Sequence, residues 1–320
     1  MFSLRFNAVA FLTLLMMATA CASPDYPAQS PAPSGPYLGQ TPPGSKPEVF
    51  APGIVNTNDH EGCAEFSRSG TRFLFHRLRR DLEEWSDIPA YLMELDDGAW
   101  SSPRPAPFES ENLDWDYHFT PDGRWLYYTS MLHTSPGAPA PKHGNIWMVE
   151  VNDEGWGAPV LLPPPINGPD HHDSSPSLTK DGTLYFFSWR EGGYGQSDIY
   201  RARLIDGEYG QVENLGSVIN TEHSEYDLVI APDESYLVFS STRPGGFGDV
   251  DLYASFRAPD GTWSEPRNLG PEVNATGAVF PSLTDDGKYL FFQSRPNDCG
   301  TVFWVSSEVI HAVETTVKNR

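Results

Sequence analysis

The chain has 320 residues, with 43 acidic side chains against 21 basic ones and a formal net charge of -22. That balance excludes a nucleic-acid partner, because phosphate recognition needs a basic footprint, and it favours cations or basic partners. Aromatics at 13%, with 28 glycines and 30 prolines, indicate many short strands joined by tight turns rather than long helices.

Residues 1–20 read as an export signal. Arg5 is the charged start, residues 8–17 are apolar apart from Thr13, and small residues follow. Such a run is too short to span a bilayer. Ala18-Thr19-Ala20-Cys21 resembles the lipobox of bacterial lipoproteins, which implies lipidation of Cys21 after cleavage before it. The same residues also satisfy ordinary cleavage at Ala-x-Ala. The expected location is the periplasmic face of the outer membrane, or the periplasm. Residues 21–47, rich in Pro, Ser and Gly, read as a tether holding a domain off that membrane.

Internal repetition follows. Five segments share one pattern: Ser67-Arg-Ser-Gly-Thr-Arg-Phe-Leu-Phe, Thr120-Pro-Asp-Gly-Arg-Trp-Leu-Tyr-Tyr, Thr179-Lys-Asp-Gly-Thr-Leu-Tyr-Phe-Phe, Ala231-Pro-Asp-Glu-Ser-Tyr-Leu-Val-Phe and Thr284-Asp-Asp-Gly-Lys-Tyr-Leu-Phe-Phe. Their turn positions Gly70, Gly123, Gly182, Glu234 and Gly287 lie 53, 59, 52 and 53 residues apart. An Asp-Gly turn between β-rich runs is a hairpin signal, since Gly tolerates the positive φ required. A third strand follows in each unit, as in Asn145-Ile-Trp, Asp198-Ile-Tyr and Asp251-Leu-Tyr, and most units add an outer strand, as at Trp100, Trp156, Tyr209 and Trp263. Four short strands per unit, radially repeated, is the design of a propeller blade. The fifth unit lacks its outer strand. Residues 48–53 are expected to supply it, because Val55-Asn56-Thr57 after them matches Ile219-Asn220-Thr221, and closure leaves no open sheet edge. The expected organisation is a signal over 1–20, a tether over 21–47, an all-β five-bladed propeller over 48–309 and a tail over 310–320.

The run Ile-Asn-Thr, Glu, Pro-Ser-Leu-Thr, Asp-Gly, Leu-Phe-Phe, Arg-Pro-Gly-Gly, Asp-Leu-Tyr, Trp-Ser-Glu-Pro, Asn-Leu-Gly resembles the TolB-type, WD-like propeller repeat. The resemblance covers residues 48–307 and implies an envelope-facing scaffold, as TolB itself binds envelope proteins.

Strand direction places candidate functional residues. Nine residues before each turn position stand Glu61, Asp114, Asp173, Glu225 and Ala278, each at the entry of an innermost strand. His60, His171, His172 and His223 lie beside them, and the loops between second and third strands add Arg190, Arg243 and Arg295 on the same face. Two readings compete. These groups form a ligand rim for a cation, a sugar or a basic peptide, with Ca²⁺ the metal that clustered carboxylates suit. Alternatively each acid pairs with an Arg, or with backbone N–H groups, and maintains the fold. No cofactor is expected. Asp198 and Asp251 read as turn caps. Cys63 and Cys299 fall on one face of neighbouring blades once the ring closes, which suggests a disulfide stapling the closure.

No Gly-x-Ser-x-Gly elbow, His-Glu-x-x-His helix or phosphate loop is present. Two function classes follow: an envelope-anchored binding module for a protein or glycan, held to the membrane by its lipid alone, or a carbohydrate-active hydrolase or lyase on a propeller.

Overall fold

The computed structural model describes residues 32–78, 89–108, 113–132, 141–152, 155–296 and 299–315. It is a closed ring of five antiparallel blades. β1 (Glu48–Val49) precedes the first blade and belongs to the last. Blade one is β2 (His60–Phe66), β3 (Arg72–Leu78) and β4 (Ala90–Asp96), with β5 (Ala99–Trp100) and β6 (Arg104–Pro105) both on the outer edge of β4. Blade two repeats this with β7 (Asp114–Phe119), β8 (Trp125–Ser130), β9 (Asn145–Asn152), β10 (Gly155–Trp156) and β11 (Val160–Leu161). Blade three is β12 (Asp173–Leu178), β13 (Leu184–Ser188), β14 (Asp198–Ile205) and β15 (Glu208–Asn214). Blade four is β16 (Glu225–Ile230), β17 (Tyr236–Ser241), β18 (Asp251–Phe256) and β19 (Arg267–Asn268). Blade five is β20 (Ala278–Leu283), β21 (Tyr289–Ser294) and β22 (Thr301–Ser306), and β1 is its fourth strand.

The turns explain their sequence. Gly70, Gly123, Gly182 and Gly287 hold φ between 66° and 83°, which an L side chain adopts only at a cost of roughly 1 kcal/mol. Glu234 takes the same conformation at φ 58°. Its carboxylate accepts from Tyr185 Oη at 2.7 Å and pairs with Arg257, so tertiary contacts offset the backbone cost.

Closure is a local β-pairing reinforced by aromatic packing. Glu48 faces Trp304 and Val49 faces Phe303 in antiparallel register, and Phe50 N donates to Val302 O at 2.9 Å. The Phe50 ring lies 4.9 Å from Phe291, 5.2 Å from Trp304 and 5.3 Å from Phe73, all of them buried. Burying side chains of this size stabilises the fold by about 2–3 kcal/mol each, so the seam between first and last blades is a core in its own right.

Residues 33–44 are also laid on this seam. Trp100 donates its backbone N–H to Pro33 O and its indole Nε1 to Gly35 O, both at 2.8 Å, and Ser306 N donates to Gly44 O at 2.9 Å. Leu38 is buried there, and Tyr37 packs against Phe66, Tyr289 and Trp304. The final helix, Glu308–Thr315, docks through fully buried Ile310, with His311 5.5 Å from Tyr236.

Every innermost strand carries a bulge. Register shifts interrupt the pairing of β2, β7, β12, β16 and β20 with their neighbours. At each shift stands a left-handed residue seven positions before the turn: Cys63, Asp116, Ser175, Asp227 and Phe280, with φ 37–56°. A bulge re-aims a side chain and bends its strand. Here it brings one side chain per blade toward the ring axis.

Candidate functional site

The rim carboxylates are buried, and three of the four pair with arginines. Glu61, Asp114, Asp173 and Glu225 are each 0–1% exposed. Arg77 Nε donates to Glu61 at 3.0 Å, Arg190 to Asp173 at 2.9 Å and Arg243 to Glu225 at 3.2 Å. Each guanidinium also donates to crossover carbonyls: Arg77 to Ile54 and Val55, Arg190 to Ile166, and Arg243 to Ile219, at 2.7–3.0 Å. Each lies over two ring faces of its own blade, 4.9–5.3 Å from their centroids. Arg suits this place because its planar fork hydrogen-bonds and stacks together. Thr57 and Thr221 complete the arrangement, donating N–H and hydroxyl to Glu61 and Glu225. The Ile-Asn-Thr…Glu pattern is thus a crossover clamp. Burial outruns the favourable neighbours at Glu61 and pushes its carboxyl up to about 7.

A second clamp uses asparagine. Asn56, Asn167, Asn220 and Asn274, all buried, accept a third-strand N–H at 2.8 Å and return their amide to backbone carbonyls. One side chain therefore satisfies two main-chain groups that an open sheet edge would leave bare.

Two of the histidines also brace the fold through their rings. His172 is buried, packs tilted with its ring 4.5 Å from Trp189 and accepts the Gly144 N–H at 2.9 Å through Nδ1; burial lowers its imidazole to about 4. His60 Nδ1 accepts from Gly300 N at 3.1 Å. His171 Nδ1 lies 2.9 Å from Asp173, and His223 N donates to Thr221 Oγ1 at 3.2 Å. Among the described residues no group of three or more His, Cys, Asp or Glu is arranged to hold a metal ion.

Cys63 corrects one expectation. It is a free, buried thiol whose Sγ lies 3.6 Å from Asp116 Oδ1, so the Cys63–Cys299 staple does not form. The bulge at Cys63 turns its side chain to the axis, away from the entry rim. Cys21 lies outside the described residues.

On the axis, one residue from each blade meets the others. Ser174 and Ser175 donate to Asp116 Oδ2 at 2.9 and 2.8 Å, and Ser175 also reaches Asp227 at 3.4 Å. Desolvation pushes Asp116 up to about 6 and raises Asp227 well above the usual carboxylate range, with the Asp116 charge adding to it. Two nearby carboxylates in low dielectric share protons, since both cannot ionise cheaply. Asp116 borders a cavity of about 20 Å³, lined also by Cys63, Ser175 and Phe280. That is room for about one water. Toward the turn face, Glu65, buried and raised well above its usual range by desolvation, and His118 line a further 40 Å³.

The rim face has one more repeated feature. The loops between second and third strands of blades three and four read Gly192-Gly-Tyr-Gly and Gly245-Gly-Phe-Gly. Asp198 accepts the N–H groups of Tyr194 and Gly195 at 2.6 and 2.9 Å, and Asp251 those of Phe247 and Gly248 at 2.6 and 2.8 Å. Asn214 and Asn268 hold the two aspartates from behind. The expected caps are therefore present. The loops also press on the next crossover, where a Cβ on Gly195 would meet His223 O at 1.8 Å. At their tips Tyr194 is 53% exposed and Phe247 54%. The equivalent positions of the two aromatics in adjacent repeats are the signal by which the sequence marks them.

These features define a closed five-bladed β-propeller with an entry face braced by ion pairs. No protein-family model matches the chain, and no curated protein matches it. Among solved structures it is similar to TolB from Acinetobacter baumannii, at 15% identity and TM-score 0.48, over 82% of this chain and 57% of that one. It therefore spans less than two thirds of that TolB. An α-L-arabinofuranosidase from Lactobacillus brevis is similar at 11% identity and TM-score 0.49, over 77% of this chain and 90% of that one. A protein of unknown function from Dyadobacter fermentans gives 13%, 0.48, 80% and 79%.

Proposed function

We propose that this chain is an exported, envelope-anchored binding module that meets a protein or glycan partner with its entry face. The observation that carries the reading is the commitment of the rim: its acids are buried against Arg77, Arg190 and Arg243, while the loops between them hold two aromatics out to solvent. A face built this way is rigid and contact-ready.

The alternative, a carbohydrate-active hydrolase or lyase, needs unpaired carboxyls in a deep pocket. Asp173 and Glu225 are instead paired with arginines, and the axial cavity bordered by Asp116, about 20 Å³, is far below the roughly 300–1,000 Å³ of small-molecule sites. Size favours binding over cleavage there. The N-terminal segment supports the anchoring: residues 33–44 are fixed near the Asp-Gly turns, on the face opposite Tyr194 and Phe247. A tether arriving there leaves the entry face turned away from the membrane.

Photocrosslinking in intact cells tests this. A benzophenone amino acid at position 194 or 247 is expected to give adducts with a partner, and the same group at Lys180 on the turn face none. Adducts from 180 alone, or from none of the three, overturn the reading.

A further inference from the structure

We infer that the surface of blades three and four takes a polypeptide segment carrying Lys or Arg side chains, with Tyr194 and Phe247 as its cation–π contacts. This rests on the binding reading above and names the partner's chemistry.

Tyr194 and Phe247 stand at equivalent positions of adjacent repeats and are about half exposed. Each sits on a loop whose two tip amides are tied to a buried aspartate. Aromatics in rigid loops lose little freedom on contact, which is what a binding surface requires. Val218, in the crossover between these blades, adds an exposed apolar side chain.

Apart from the half-buried His223, the basic residues in the loop and crossover segments of this surface, residues 189–197, 214–224, 242–250 and 269–278, are Arg190 and Arg243. Both are neutralised by Asp173 and Glu225 and are only 16% and 14% exposed. The exposed charges are Glu191, Glu222, Asp249 and Glu272. An electron-rich ring in an acidic surround attracts ammonium and guanidinium groups and repels anionic ones, and the net charge of -22 steers such partners inward. A neutral glycan would use the rings but not the charges.

The experiment is fluorescence anisotropy with labelled nona-arginine, with nona-glutamine as the uncharged control, on the full mature chain. Nona-arginine is expected to bind, and nona-glutamine to bind at least tenfold more weakly. The double variant Y194A/F247A, which leaves net charge unchanged, is expected to lose at least fivefold in affinity, while Y194F/F247Y retains it. The triple variant E191Q/E222Q/D249N is expected to lose at least threefold. Equal affinity in wild type and Y194A/F247A overturns the inference, since attraction then comes from overall charge alone. A partner crosslinked at 194 or 247 that keeps its affinity in the triple variant and in high salt also overturns it, and in that case the binding reading itself survives.

Discussion

Asn56 donates its side-chain amide to Val302 O at 2.9 Å and accepts the Val302 N–H at 2.8 Å, across 246 residues of chain. The same amide reaches Phe50 O. One buried side chain thus locks the N-terminal end of the ring to the last blade, and Asn167, Asn220 and Asn274 repeat the same hydrogen bonds at other crossovers, each to the third strand of the blade it leaves.

Removing it leaves buried backbone groups without partners, which costs about 1–3 kcal/mol per group. Asn56→Ala is therefore expected to lower unfolding free energy by about 3 kcal/mol in urea titration. A loss below about 0.5 kcal/mol contradicts the lock.

The axial carboxyls make stability depend on pH. The carboxyls of Asp116, Asp227 and Glu65 are all raised, chiefly by desolvation. A raised acid contributes stability that is fully present below its unfolded pKa, near 4, and that is lost as pH rises through the folded value. For Asp116 that window runs from about 4 to about 6 and above. Against a variant neutral at this position, the stability of the wild type is expected to fall between pH 5 and pH 8, the opposite slope of the buried imidazoles His76, His118 and His172 being common to both. Asp116→Asn, neutral throughout, is expected to be more stable than wild type at pH 8 by about 1–3 kcal/mol and to flatten the profile. A stability difference between variant and wild type that does not grow from pH 5 to 8 contradicts this.

The blade-four loop depends on Asp251. It accepts from Phe247 N, Gly248 N and Asn268 Nδ2 at 2.6–2.8 Å. Asp251→Ala is expected to raise the amide exchange rates of Phe247 and Gly248 at least tenfold, about 1.4 kcal/mol of local protection, with little change in strands β20–β22. Unchanged exchange at those two amides shows the loop is held by something else.

What could be read in the sequence follows from how local each cause is. The Asp-Gly turns were legible because a positive φ selects glycine, and Glu234 departs from the pattern only because Tyr185 and Arg257 hold its carboxylate. Ring closure was legible because Val55-Asn56-Thr57 repeats a crossover whose Asn and Thr have fixed hydrogen-bonding duties. The axis was not. Its five residues, Cys63, Asp116, Ser175, Asp227 and Phe280, share a backbone conformation and no side-chain chemistry, so no residue column marked them. That same bulge defeated the cysteine pairing. The carboxylate column was found, but burial and the matching of each acid to its Arg are tertiary properties, as is the exposure of Tyr194 and Phe247. The helix Glu308–Thr315 and the docking of residues 33–44 likewise depend on surfaces that exist only after the ring forms.

The account turns on the entry acids being parts of the frame, with contact left to the loops. The unfolding free energy of Glu225→Gln and Asp173→Asn measures this directly. Each variant leaves a buried guanidinium without its counter-charge, so a loss of about 2–4 kcal/mol is expected, with an unchanged urea slope. Residues kept for ligand chemistry behave oppositely, because replacing them commonly relieves repulsion or strain and stabilises the protein. Variants as stable as wild type, or more so, contradict the account.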